Sequence, residues 1–222
     1  MTERTEHAQS AALRAFLLLC SLGGDWPGRL VLVRGLDAEG RAVSVAASIA
    51  GAACLAIESR ADVCRAALRA GACDFVVNSV DEALRILKNE LRKRKPVSVA
   101  VAMPDRAALE ELAERGVAPD LFVAGASGET AARFAEFGAR VIQPGDVHAV
   151  VAEYAARRGL AVREFGFGTP AELAEFDRRL AGVIPEGDPR RHWAASASRF
   201  FYRERPLRRV AYLTPDEAPR LG

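Results

Sequence analysis

Gly35-Leu-Asp-Ala-Glu-Gly40 supplies the first and last glycines of a G-x-G-x-x-G frame, with Asp37 in the middle position. In such a frame the first glycine turns the chain tightly, the middle one lets the backbone approach a diphosphate, and the last lets a helix pack closely on its strand. The phosphate then rests on the helix N-terminus, where backbone N–H groups and the helix dipole favour negative charge. Asp37 and Glu39 put two carboxylates into that loop, and like charges beside a diphosphate weaken the attraction. The spacing describes a phosphate turn that keeps its bend and has lost its diphosphate. Glu58, 23 residues after Gly35, stands just past the second apolar run. A dinucleotide fold places there the acid that binds the ribose hydroxyls, although such an acid by itself is also an ordinary solvated loop residue.

These residues need a strand-turn-helix scaffold, and the chain repeats that unit. Short apolar runs at Leu30–Val33, Ala53–Ile57, Asp74–Val77, Val97–Val101, Leu121–Val123 and Arg140–Ile142 are too short for helices and too apolar for half-exposed strands. Between them, Ala42–Ala52, Arg60–Ala70, Val80–Lys95, Asp105–Arg115, Glu129–Phe137 and Asp146–Arg158 carry apolar residues three and four apart. This alternation predicts an α/β fold, a three-layer, doubly wound and mostly parallel sheet with helices on both faces. Ser79 or Asp81 is placed to cap the helix that ends in a basic run before Pro96. Pro104 opens the next helix and Gly116 ends it.

Three segments are expected. Residues 1–24 form a helix with Leu13, Phe16, Leu17 and Cys20 on one side, packed on the sheet edge or on a partner and ended by Gly23-Gly24. Residues 25–184 form the Rossmann-like domain, which includes a further strand at Leu160–Phe165 and a helix opened by Thr169-Pro170 with Glu172 as its capping-box acid. Residues 185–222 form a C-terminal extension that wraps the domain or reaches a neighbour. Its Arg190, Arg191, Arg199, Arg203, Arg205, Arg208 and Arg209 alternate with Trp193, Phe200, Phe201 and Tyr202. Arginine with stacking aromatics suits single-stranded nucleic acid, but the same pattern docks a terminal helix on its own domain, and nucleic acid is not the expected partner.

The 222 residues, 50% hydrophobic with 31 Lys+Arg against 29 Asp+Glu, leave a net charge of +2 and no general pull on polyanions. No apolar run reaches the length of a membrane span and no secretory signal pattern opens the chain, so a cytoplasmic location is expected. Cys20, Cys54, Cys64 and Cys73 lack C-x-x-C spacing and are expected to be reduced, buried thiols; His7, His148 and His192 stand far apart and no metal is expected. Gly125-Ala-Ser-Gly128 is not a complete nucleophile turn, and Ser127 has no assignable base.

Gly35–Ala42, Ile49–Glu58, Gly71–Val77, Val80–Arg85, Pro96–Val99 and Leu112–Asp120 follow one another in an order and spacing that resemble the NAD-binding domain of urocanase, urocanate hydratase, over roughly residues 28 to 125. The resemblance implies a Rossmann-like domain that, in the family, holds a tightly bound NAD used as an electrophile in a homodimer. The family turn is similar to G-L-G-G-M-G-G-A-Q; here Asp37, Ala38, Glu39, Arg41 and Val43 stand in its variant positions, with Gly35, Leu36, Gly40 and Ala42 kept. After the fifth strand only Ser127 matches the family stretch in register.

The expectation is a shorter, stand-alone and degenerate member of that family, a non-catalytic protein with a small-ligand-binding, regulatory or scaffold role. Urocanate hydration is not expected. The alternative is an NAD- or nucleotide-binding protein or enzyme component. Gly35, Asp37, Gly40, Glu58 and Ser127 are the candidate cofactor contacts; no bound cofactor is expected, with NAD as the alternative. An unknown small molecule and a second copy of the chain are the candidate partners.

Overall fold

The computed structural model describes residues 7–124 and 128–221. Six parallel strands form the central sheet: β1 (Leu30–Arg34), β2 (Ala53–Glu58), β3 (Phe75–Val77), β4 (Val97–Ala102), β5 (Leu121–Val123) and β6 (Arg140–Ile142), in the order β3-β4-β2-β1-β5-β6. The helices after them are α2 (Ala38–Ala50), α3 (Ala61–Arg69), α4 (Val80–Arg92), α5 (Asp105–Glu114), α6 (Glu129–Glu136) and α7 (Val147–Arg157). Successive strand residues point to opposite faces, and both faces are covered. Val31, Val33, Cys54, Ala56 and Val123 pack toward α2, α3 and α7. Leu30, Leu32, Leu55, Ile57, Val99 and Phe122 pack toward α4, α5 and α6. The expected three-layer α/β architecture is therefore the one found.

Two helix ends depart furthest from the sequence expectation, for local reasons. α2 starts at Ala38 instead of Ala42, because Asp37 caps it through the Gly40 N–H at 2.9 Å. α4 stops at Arg92 instead of Lys95, because Arg94 takes a left-handed φ of 54° that no helix continues through. Ser79 is its cap, accepting from the Glu82 N–H at 3.3 Å.

The N-terminal helix α1 (Ala8–Leu22) corrects an expectation. It does not lie on the sheet edge with one buried side; Ala12, Leu13, Phe16, Leu17, Leu18 and Leu19 are all buried. It lies against α2 and α7 and is covered in turn by α9 (Arg190–Phe201) and β8 (Arg208–Leu213). A helix apolar all round must be enclosed. α2 is enclosed in the same way, between the sheet and α1, so Val43, Val45, Ala46, Ala47 and Ile49 are all buried.

The cover is a second unit. β7 (Ala161–Gly166) pairs antiparallel with β8, from Ala161 opposite Leu213 to Gly166 opposite Arg208, and α8 (Pro170–Val183) packs on α9. Thr169 Oγ1 caps α8 through the Glu172 N–H at 3.2 Å, and Glu172 Oε2 accepts from the Gly168 N–H at 2.9 Å. Buried Arg190 donates to Asp188 at 2.7 Å and to Glu217 at 2.8 Å; buried Arg209 donates to Asp177 at 2.6 Å. Gln9 of α1 bridges to β8, accepting from the Val210 N–H at 2.6 Å and donating to the Arg208 carbonyl at 3.3 Å. Arg199 and Arg203 lie over the rings of Phe200 and Tyr202.

Candidate functional site

β1 is flanked by β2 on one side and β5 on the other, and the chain leaves these neighbours in opposite directions. In a doubly wound sheet the crevice at the carboxyl ends of such strands is where ligands bind. The loop from Gly35 to Gly40 lies there. Gly35 has a φ of 87°, favourable only for a residue without Cβ, and its N–H donates to the Ile57 carbonyl at 2.7 Å. A Cβ on Gly40 would stand 2.1 Å from the Gly35 carbonyl oxygen, so the helix-strand approach demands glycine. Both glycines perform the tasks that their spacing implied.

Asp37 does something else. Its Oδ1 accepts from the Gly40 N–H at 2.9 Å, and its carbonyl accepts from the Arg41 N–H at 3.0 Å. The protein's own carboxylate thus occupies the helix N-terminus, taking one of the orphan donors that a phosphate would use.

Glu58 is the last residue of β2, where the sequence placed it just beyond the strand. It is 5% exposed, so it is not a solvated loop acid. Its Oε2 accepts from the Leu36 N–H at 3.1 Å, and its Oε1 accepts from the Arg60 N–H at 3.0 Å and from Arg60 Nε at 3.1 Å. Burial alone would raise the pKa of Glu58; the hydrogen bonds from Arg60 and Leu36 outweigh it and hold the carboxyl below its ordinary range. The carboxylate is spent on tying the turn after β1 to the end of β2. Arg60 was missed as a partner in the sequence, and its signal is a cation two positions beyond a strand-end acid.

Beside the loop, α1 borders the crevice. Arg14, Glu39, Val123, Pro144 and His148 line a cavity of about 30 Å³, far below the roughly 300 Å³ or more of an ordinary ligand pocket. His148 is exposed at the start of α7. On the other side Arg34 Nε donates to Asp105 Oδ2 at 2.6 Å and holds that carboxyl below its usual range. Ser127, the remaining candidate, lies outside the described residues. The structure therefore brings Gly35, Asp37, Gly40 and Glu58 together around one turn.

A family model for the urocanase Rossmann-like domain matches residues 10–132, from α1 into α6. The chain belongs to the urocanase Rossmann-like domain family. In urocanases this domain binds NAD. The residues of this urocanase-family turn do not fit a dinucleotide: Asp37 fills the helix N-terminus, and Glu58 is committed to Arg60 and Leu36.

The four cysteines are free. Burial pushes the thiols of Cys20 and Cys73 up to about 12 and that of Cys54 to about 11, which keeps them protonated and unreactive. Among the described residues no group of three His, Cys, Asp or Glu side chains is placed to hold a metal, and no helix is long and apolar enough to cross a membrane.

Proposed function

We propose that this urocanase-family domain is non-catalytic and serves as a regulatory or scaffold protein, its ancestral dinucleotide turn sealed by its own side chains. The observation that carries this proposal is the 2.9 Å hydrogen bond from the Gly40 N–H to Asp37, which puts a fixed carboxylate where a diphosphate would sit. At an effective dielectric near 20, a unit charge roughly 4 Å from a phosphate is worth on the order of 4 kcal/mol before screening by salt. A small ligand accepted at this edge has to tolerate that charge and the neighbouring Glu39.

Calorimetric titration with NAD tests the proposal. Wild type gives no saturable heat, whereas Asp37→Gly combined with Glu39→Gly gains measurable binding. Glycine at the N-cap costs only a few tenths of a kcal/mol relative to the better caps and glycine at position 39, in the first turn of α2, about 1 kcal/mol, so a melting curve of the variant accompanies the titration. Tight binding by wild type replaces the proposal with the alternative, a nucleotide-binding protein that holds NAD through Gly35, Gly40, Glu58 and Ser127. Loss of urocanate absorbance above background with NAD added overturns the non-catalytic assignment directly.

A further inference from the structure

β7 and β8 form a sheet of their own, and the chain treats its two outer edges in opposite ways. Register fixes which backbone groups point outward. The Phe167 N–H donates to the Leu207 carbonyl at 3.0 Å, so that opposed pair is a bonded one. Bonded and non-bonded pairs alternate along an antiparallel ladder. Phe165 with Arg209 and Arg163 with Ala211 are therefore bonded, while Gly166 with Arg208, Glu164 with Val210 and Val162 with Tyr212 are not. The backbone groups of these last pairs turn away from the ladder on both sides.

On the β8 side, side chains meet them. Gln9 accepts from the Val210 N–H at 2.6 Å and donates to the Arg208 carbonyl at 3.3 Å. Trp193 Nε1 donates to the Val210 carbonyl at 2.9 Å, and Arg190 donates to the Tyr212 carbonyl at 3.0 Å. On the β7 side, no group among the described residues bonds to the outward N–H and C=O of Val162, Glu164 and Gly166. All three residues are exposed, Val162 by 54%. Neither proline nor bulge interrupts β7, so the row stands as a template for another strand.

The side chains select the occupant. Two copies of one antiparallel edge pair about a two-fold axis, which sets one residue opposite itself. Centring on Arg163 opposes two cations and centring on Glu164 opposes two carboxylates, both unfavourable. Centring on Phe165 opposes two rings and sets Glu164 of each copy opposite Gly166 of the other. Within one chain Arg208 stands opposite Gly166 and donates to Glu164 at 3.0 Å, while its buried Nε finds no acceptor. A Cβ on Gly166 would meet nothing within 4 Å, so the space beside Arg208 is open to a second carboxylate. A second copy brings that carboxylate in register.

We propose that β7 is the surface through which two copies of this chain pair, edge to edge and antiparallel, into one four-stranded sheet. Glu164 and Gly166 of each copy exchange main-chain hydrogen bonds with Gly166 and Glu164 of the other. The Phe165 rings meet on the axis beside Phe176, whose ring centre is 4.6 Å from that of Phe165 in each copy. Each Glu164 then lies between its own Arg208 and that of the second copy. A foreign strand can use the same backbone groups, but the match of Glu164 to Gly166 and of Phe165 to itself is a property of a second copy. β7 and β8 follow the stretch that matches the family model, so this interface belongs to the appended unit. It shares no residue with the Gly35–Gly40 turn, and NAD titration and the test of the interface succeed or fail separately.

The test is sedimentation velocity of the full chain over a series of concentrations, with amide hydrogen exchange read residue by residue. The chain sediments as a concentration-dependent dimer, and the Glu164 and Gly166 amides exchange about tenfold or more slowly in the dimer than in the dilute chain. Gly166→Glu sets a carboxylate opposite each Glu164 and weakens the dimer about tenfold, whereas Gly166→Lys sets a cation there and retains it. Both new side chains enter open space within one copy, so both variants melt as wild type does. The proposal is overturned if the chain stays monomeric at millimolar concentration, or if it dimerises with the Glu164 and Gly166 amides unprotected. It is equally overturned if Gly166→Glu and Gly166→Lys act alike, or if those amides are protected only when an extended peptide of another protein is added.

Discussion

At the carboxyl end of the sheet Asp37 takes the Gly40 N–H, Glu58 takes Leu36 and Arg60, and Asp105 takes Arg34; at the amino end beside β3, Arg85, Arg92 and Arg199 have no such carboxylate among the described residues. The same parallel sheet builds both ends. The carboxyl end, where its family holds a dinucleotide, has turned its polar groups on one another. The amino end presents exposed arginines and an exposed ring beside the sheet's edge strand. The two ends thus differ in how fully their charged groups are engaged by one another.

That contrast makes stability predictions of graded size. Gly40→Ala is the most damaging, because the new Cβ meets backbone, the Gly35 oxygen at 2.1 Å and its carbon at 2.9 Å, so either the turn or the helix must shift. A loss of about 3 kcal/mol in urea unfolding is expected. A loss under about 1 kcal/mol would mean that the turn is looser than its hydrogen bonds indicate.

Glu58→Gln comes next, at about 1.5–3 kcal/mol near neutral pH, for hydrogen bonds made to a charged group. The folded pKa of Glu58 lies below its unfolded value of 4.5, so its ionised form is worth most above that value. As the pH falls through 4.5 and then through the lower folded pKa, this stabilisation is lost, and wild type and variant converge. Unfolding curves collected from neutral to acid pH check the sign, and a gap that widens on acidification would break the assignment of Glu58 as a charged structural tie.

The smallest effect belongs to the amino end. Arg85→Ala and Phe75→Ser should each change stability by no more than about 0.5 kcal/mol, since their side chains are exposed. A larger loss in thermal melts would show that these groups support the fold, and the contrast between the two ends would shrink accordingly.

Much of the scaffold was legible because it rests on local rules. Leu30–Val33, Ala53–Ile57 and Val97–Val101 are continuous apolar runs, as strands covered on both faces must be, and each forms the expected strand. Gly35 and Gly40 were legible for the same reason, since a tight turn and a close helix approach each require a residue without Cβ. The role of Glu58 was not. Its distance from Gly35 suggested a ribose ligand, yet a strand-end acid is available to whichever donor the fold brings nearest, and here that donor is Arg60 with the Leu36 N–H.

The periodicity of α1 showed a buried side at Leu13, Phe16 and Leu17 and was silent about what covers the rest. Its enclosure depends on β8 pairing with β7 and on Gln9 reaching Val210 across 201 residues of chain. The arginines near the C-terminus were equally ambiguous in sequence: Arg190 and Arg209 are buried against Glu217 and Asp177, while Arg199 remains outside on an aromatic ring. The sequence by itself determined the strands, the turn glycines and the membership of a dinucleotide-fold family, because backbone sterics and apolar periodicity act over a few residues. Only the tertiary structure decided which charges are consumed and which are left free, because an ion pair depends on distance in space, and Arg85 and Arg190 differ in their neighbours rather than in their chemistry.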